Sequence, residues 1–262
     1  MKVGFIGGGN MGGALIGGLT QKGCAPSDIA LYEKDAQKAA AFKEMGINTV
    51  ESASAAEAAS EIIVFSVKPN IIDSVLSEMS GDKNKIYLSI AAGVTVAHLE
   101  EMLGADKKIV RAMPNTPAQV GCGMTVISPN KNVDDEDIKK VKMLLSAVGM
   151  VQQMDEKFMS VATALHGSSP AYVYMFIDAM ADAGVKYGLT KQQALTLAAQ
   201  AVAGSAEMVL SCGKHPEKLK DNVCSPGGTT IAAVCDLEKN GFRGIVQSAV
   251  CACVAKADEM SK

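Results

Sequence analysis

Two clusters of small residues have the types and spacing to do chemistry. In the first, Gly7, Gly9 and Gly12 spell G-x-G-x-x-G directly after the apolar run of Val3, Phe5 and Ile6. Glycines so placed answer three steric demands: a tight turn, close approach of backbone to a pyrophosphate, and close packing of a helix on a strand. The second cluster is DNVCSPGGTTIA at 221–232. It reads as a helix N-terminus in which Pro226 presets the turn, Gly227 and Gly228 leave the amides unobstructed, and Thr229 and Thr230 add hydroxyl donors. A small carboxylate can sit on such N–H groups. The first cluster addresses a dinucleotide, the second a small anion.

Both clusters need elements to hold them. Val3 to Ile6 has the unbroken apolarity of a buried parallel strand, and Ala14, Leu15, Ile16 and Leu19 continue with helical spacing to Gly23. The amides from about Asn10 to Gly12 then face the diphosphate. Further strands are expected at 29–32, 47–50, 61–67, 85–90, 109–113, 123–128 and 150–154. Helices are expected at 35–45, 70–79 and 134–148, with a capping-box start at Ser54 and Glu57 and a cap at Thr95. This alternation predicts an α/β fold, a Rossmann-like sheet that binds its ligand at the carboxyl ends of the strands.

Several residues fall at that edge. Ala91, Ala92 and Gly93 let a flat ring approach the backbone, and Ser66 to Pro69 end the fourth strand. Lys68 among them reads either as a cofactor contact or as a surface cation. Glu33 ends the second strand, where an acid commonly holds the ribose 2′-hydroxyl and repels a 2′-phosphate. It leans towards NADH over NADPH, although Lys34 beside it offers a phosphate a cation. Two prolines, Pro114 and Pro117, bracket a rigid polar turn at the same edge. His98 has no carboxylate or nucleophile pattern around it and is assigned no role.

Composition narrows the partners. With 25 basic and 28 acidic residues, a net charge of -3 and no basic stripe with interleaved aromatics, neither nucleic acid nor a membrane surface is favoured. Small molecules remain. The seven cysteines form no C-x-x-C pair and none of the three histidines stands at metal spacing, so no metal is expected and the thiols read as reduced. No signal-peptide pattern or bilayer-length apolar run is apparent, which predicts a cytoplasmic protein.

Beyond about residue 163 the pattern becomes helical, with helices expected at 168–187, 190–210, 226–239 and 242–260. Residues 1–163 therefore read as a dinucleotide-binding domain and 164–262 as an all-helical one. The first two long helices are apolar or small nearly all round (Val173, Met175, Phe176, Met180, then Leu195, Leu197, Ala201, Met208). Helices of that kind must be covered, and a second copy of the domain would cover them, which predicts a homodimer.

From end to end the chain resembles the pyrroline-5-carboxylate reductase family. The resemblance rests on FIGGGNMG at 5–12, VKP at 67–69, SIAAGVT at 89–95, RAMPNTP at 111–117, GSSPAY at 167–172 and, above all, LKDNVCSPGGTTI at 219–231. It implies a nicotinamide-dependent reductase that makes proline from a cyclic imine. Its helical domains would pair into dimers, often assembled into larger rings, with substrate held between cofactor and partner helices. The implied substrate loop is Gly227, Gly228, Thr229 and Thr230. The implied cofactor contacts are Ile6, Gly7, Gly8, Gly9, Asn10, Met11, Ser66, Val67, Lys68, Pro69, Ala91, Ala92, Gly93 and, across the dimer, Asn222. Two residues depart from the family pattern. Glu33 stands where many relatives that prefer NADPH carry a small polar or basic residue. His166 stands where a small residue such as serine is usual, and reads as a replacement hydrogen-bond partner or a new acid.

The chemistry expected is hydride transfer to the imine carbon, with Thr230 hydrogen-bonded to the ring nitrogen as the catalytic group. An imine nitrogen arrives already protonated, so no strong acid is needed. A 3-hydroxyacid dehydrogenase is the rival enzyme, but it needs a lysine on the first long helix near its start, and Lys186 lies at the far end. A non-catalytic nucleotide-binding module would have no use for the second cluster.

Overall fold

Strand and helix alternate through the first part of the chain in the computed structural model, which describes residues 1–260. The elements are β1 (Val3–Ile6), α1 (Asn10–Gln21), β2 (Ile29–Tyr32), α2 (Ala36–Glu44), β3 (Asn48–Thr49), α3 (Ala53–Ala58), β4 (Ile62–Phe65) and α4 (Pro69–Leu76). They continue as β5 (Ile86–Ser89), α5 (Val96–Leu103), β6 (Lys108–Met113), β7 (Gly123–Pro129), α6 (Asp135–Leu145), β8 (Gly149–Gln153) and α7 (Met159–Ala162). Among the described residues the strands form one sheet in the order β3-β2-β1-β4-β5-β6-β7-β8, parallel except where β7 returns antiparallel to β6. The order reverses between β1 and β4, the crevice where open α/β sheets take ligands.

Both faces of the sheet are covered, which is why its strands read as unbroken apolar runs. Phe5, Val64, Leu88 and Val110 pack with Leu15 and Ile16 of α1 and Val141 and Leu144 of α6. On the other face Ile63, Phe65, Tyr87 and Ile109 pack with Ile72 of α4 and Leu99 of α5.

The amino end of β5 and the loop before it are fastened by a buried carboxylate of α3. Glu57, 2% exposed, accepts from Tyr87 Oη at 2.6 Å, Ser80 N at 2.8 Å and Gly81 N at 3.2 Å. Burial first, and the adjacent Glu57 second, push the Tyr87 phenol well above its ordinary range. Glu57→Ala would strand a buried phenol and two amides, a loss of about 2–4 kcal/mol in the urea unfolding free energy. A loss under about 1 kcal/mol would show that water replaces the carboxylate without penalty.

Several boundaries differ from expectation. Ser52, not Ser54, caps α3 and accepts from Ala55 N at 3.0 Å. A single π-helical turn spans Thr163–Gly167, with Ser168 N donating to Thr163 O at 2.9 Å.

The chain divides into two compact units, Met1–Ser168 together with the chain from Val254 on, and Ser169–Cys253. The second is helical: α8 (Ser169–Lys186), α9 (Lys191–Cys212), α10 (Pro216–Val223), α11 (Thr229–Lys239) and the larger part of α12 (Phe242–Met260). Gly188, at φ +98°, ends α8, and a capping box of Thr190 and Gln193 opens α9. Lys191 Nζ then reaches both Asp178 and Asp182 at 2.6 Å, binding the two helices. Sequence reasoning missed α10. It also began α11 at Pro226, but Gly227 at φ +68° cannot be helical, and the helix starts at Thr229.

The apolar faces of α8 and α9 stand open in the single chain, with Met175 74% and Leu197 64% exposed. By length and composition alone α9 would also suit a bilayer, which the sequence reading did not anticipate.

Candidate active site

The three glycines of the first cluster do three different things. Gly7 takes φ +98°, and a Cβ there would meet Ser66 O at 2.8 Å, so it makes the tight turn. A Cβ on Gly12 would meet Gly7 O at 2.5 Å and Ser66 Oγ at 2.8 Å, so α1 packs on the strand ends only because that residue has none. A Cβ on Gly9 would have nothing within 4 Å, which leaves open space at the backbone, as close approach of a diphosphate requires. Gly9 is also the N-cap of α1 and lends no side-chain cap. Gly13 N closes the first helical bond on Gly9 O at 2.7 Å, so the amides of Asn10, Met11 and Gly12 point out of the helix end.

The neighbouring strands bring the other residues of this unit to the same edge. Ser66 N donates to Ile6 O at 2.9 Å, and the Ser66 hydroxyl donates to Gly7 O at 2.6 Å, so this side chain braces the turn. Lys68 is the exposed N-cap of α4 and has no ion-pair partner among the described residues; Val67 is half-buried and Pro69 is the first residue of that helix. After β5, Ala91 is buried, Ala92 exposed and Gly93 at φ +80°. Ile6 to Met11, Ser66 to Pro69 and Ala91 to Gly93 therefore follow β1, β4 and β5, three adjacent strand ends.

Glu33 turns back onto the glycine loop. Its Oε2 accepts from Gly8 N at 2.6 Å and its Oε1 from Asp35 N at 2.9 Å. Two amides thus hold the carboxylate at the end of β2, where a ribose hydroxyl would find an acceptor. Lys34 beside it is exposed.

Of the two histidines weighed in the sequence, one has a neighbour that spacing does not reveal. His98 does face a carboxylate, with Nε2 2.7 Å from Asp73 Oδ1, an exposed pair joining α5 to α4. His166 lies in the π turn with Nε2 2.7 Å from Met113 O and Nδ1 2.5 Å from Ala162 O, and Asn115 Nδ2 donates to the His166 carbonyl at 3.0 Å. Both ring nitrogens are occupied by backbone carbonyls, which favours the bracing role over an acid role.

In the helical unit the second cluster forms an uncapped helix start. Gly228 is the N-cap of α11, no side chain caps it, and Ala232 N closes on Gly228 O at 3.4 Å. A Cβ on Gly228 would collide with Ser225 Oγ, and one on Gly227 would have nothing within 4 Å. The open amides of Thr229, Thr230 and Ile231 suit an anion. Thr230 is half-buried, Thr229 is exposed, and neither hydroxyl has a hydrogen-bond partner among the described residues. Asn222 is exposed in the last turn of α10. Lys186, the acid/base that a hydroxyacid dehydrogenase would need elsewhere, closes α8 over the Tyr187 ring.

An ion-pair network joins α10, the carboxyl end of α11 and the start of α12. Glu217 of α10 binds Lys220 at 2.6 Å and Arg243 of α12 at 2.8 Å, and Arg243 binds Glu238 of α11 at 2.6 Å. The Lys220 ammonium, then the Arg243 guanidinium, hold the Glu217 carboxyl down at about 2 against an ordinary 4.5. A depressed carboxyl contributes fully above its unfolded pKa and is lost as pH falls through the folded one. The tether should therefore persist from neutrality to about pH 4.5 and fail between there and about pH 2. Hydrogen exchange of the α10 amides against pH reads it, and release already at about pH 6 would contradict the assignment.

Comparison with known proteins covers both units. A family model described as pyrroline-5-carboxylate reductase dimerisation matches residues 156–260, and one described as NADP oxidoreductase, coenzyme F420-dependent, matches residues 2–93. The solved pyrroline-5-carboxylate reductase of Coxiella burnetii is 36% identical with a TM-score of 0.95, covering 100% of this chain and 98% of that one. The Plasmodium falciparum pyrroline carboxylate reductase, solved with NADP bound, is 38% identical with a TM-score of 0.89 and the same coverage. The Escherichia coli (strain K12) pyrroline-5-carboxylate reductase is 49% identical over 265 residues, covering 100% of this chain and 98% of its own. The agreement runs through the glycine turn, the open start of α11 and everything between, and this chain belongs to the pyrroline-5-carboxylate reductase family.

Proposed function

We propose that the chain reduces the cyclic imine 1-pyrroline-5-carboxylate to L-proline, the last step of proline biosynthesis, as an oxidoreductase acting on a CH–NH bond. The observation that carries the reading is the start of α11: an N-cap glycine, no side-chain cap and two threonine hydroxyls without partners among the described residues. Gly227, Thr229 and Thr230 hold the substrate carboxylate on their amides, Gly228, whose own amide donates to Ser225 O at 3.0 Å, shapes the turn, and the Thr230 hydroxyl orients the ring nitrogen. A reduced nicotinamide, when bound, supplies the hydride that the imine carbon accepts. The substrate nitrogen brings its own proton, so the site needs hydroxyls and not a strong acid.

Gly7 to Met11 receive the diphosphate, Ser66 to Pro69 border the dinucleotide, and Ala91 to Gly93 floor the nicotinamide. Ile6 backs the turn from β1, and Asn222 reaches the cofactor of the partner subunit. NADH is the preferred reductant, because the carboxylate of Glu33 lies where a 2′-phosphate would fall. The division of labour belongs to the same proposal: residues 1–163 for the dinucleotide, 164–262 for substrate and dimerisation. So do a ring of dimers, work in the cytoplasm, and the absence of nucleic-acid or membrane partners. Homo-oligomerisation itself follows from the dimerisation family match over residues 156–260.

Oxidation of NADH on adding pyrroline-5-carboxylate, with proline as product, tests the reading. Oxidation with a 3-hydroxyacid couple instead, or binding of NADH without turnover of either, would replace it with one of its rivals.

A further inference from the structure

An arginine on an interior strand must be paired or it costs several kcal/mol to bury. Arg111 of β6 is 7% exposed and meets this demand through Nη1, which donates to Glu156 Oε1 at 2.9 Å. The same carboxylate oxygen accepts from Val96 N at 2.9 Å. Val96 is the first residue of α5, so Glu156 caps that helix from a segment 60 residues away, while Thr95 Oγ1 caps it locally through His98 N at 3.2 Å. A carboxylate on the first amide of a helix is favoured by the partial charge there.

The chain between β5 and α5 is the segment Ile90 to Thr95. Its near end is pinned by Ile90 N donating to Phe65 O at 3.1 Å, and its far end by the Glu156 carboxylate. Arg111 lies against this segment from the sheet side. It lines a cavity of about 60 Å³ together with Ala91, Ala92, Gly93, Ser160 and Thr163. With Arg111 buried and Glu156 half-buried, the pair contributes little net stability over well-packed apolar residues. What this one supplies is position: β6 is rigid, and a single oxygen transmits its position to the far end of the loop.

We propose that Arg111 and Glu156 are a positioning pair that sets the height of the Ala91–Gly93 loop and, through it, the binding of the reduced nicotinamide. The inference rests on the reading that this loop floors the nicotinamide. Neither residue is assigned contact with a reactant.

The test compares KM for NADH with KM for the imine in the intact, oligomeric enzyme. Glu156→Ala should raise the NADH KM by about five- to fiftyfold and leave the imine KM within about twofold, because a displacement near one ångström is expensive for one reactant only. Glu156→Gln, which keeps the acceptor oxygen, should recover most of the loss. An unchanged NADH KM in Glu156→Ala, or an equal rise for both reactants, overturns the proposal. Where Glu156→Ala does not fold, Arg111→Lys takes its place: a smaller rise confined to NADH supports the pair, and no rise overturns it. Gly93→Ala separates this from the reading beneath it, since its φ of +80° strains any side chain. If Gly93→Ala raises the NADH KM and the Glu156 and Arg111 variants do not, the positioning role alone fails. If Gly93→Ala also leaves it unchanged, the loop is not at the cofactor and both fail.

Discussion

Thr230→Ala is expected to lower kcat/KM for the imine by about ten- to thousandfold, the range spanned by loss of one transition-state hydrogen bond. The expectation comes from position. Thr230 is the second residue of α11, half-buried, with a hydroxyl that no described residue engages. Loss of an idle hydroxyl costs nothing in the ground state, so an effect on rate identifies the bond as one made to substrate. The ring nitrogen gains electron density as hydride reaches the adjacent carbon, and a hydroxyl beside it is worth most at that moment. The loss should therefore appear mainly in kcat. Thr230→Ser, which keeps the oxygen, should retain most of the activity. Thr229→Ala should act chiefly on KM for the imine, because its exposed hydroxyl is assigned to the carboxylate end. Wild-type kinetics in Thr230→Ala would remove that residue from the mechanism.

Glu33→Ser should move the ratio of kcat/KM for NADPH over NADH upward by about ten- to thousandfold, measured at saturating imine. In the native protein the Gly8 and Asp35 amides hold both carboxylate oxygens at 2.6 and 2.9 Å, so the charge has no freedom to swing away from an arriving phosphate. Serine would remove that charge and release the same two amides to donate to phosphate oxygens. The gain thus has a repulsive and an attractive part. If the ratio stays put, the exposed Lys34 governs the ribose end, and Lys34→Ala should then cut NADPH use alone.

Much of this architecture was legible in the residues because its causes are local. The strand, glycine turn and helix at 3–21 follow from sterics within a dozen residues. The cap at Thr95 and the Thr190–Gln193 box likewise need no tertiary information. Where two local solutions compete, pattern cannot choose. Ser52 and Ser54 stand two apart, their hydroxyls 3.0 Å from each other, and only the turn before α3 decides which one caps. Helix α10 escaped notice because its sequence, PEKLKDNV, is mostly polar and its order comes from Arg243, distant in the chain. The π turn depends on one shifted backbone bond. Glu156 bonds partners 45 and 60 residues away, a pairing that no spacing rule reveals. The Asp73 partner of His98 escapes the same way, since it reaches the ring from a different helix.

The carboxylate of Glu57 fastens the end of the sheet opposite the one proposed to receive the cofactor, with Tyr87, Ser80 and Gly81 as its partners. On the proposed site, folding and turnover belong to different rims of one scaffold. Laboratory evolution towards bulkier heterocycles can spend its mutations on the loops after β1, β4 and β5 and the threonine helix, with that fastening left whole as a reserve against their destabilising effect.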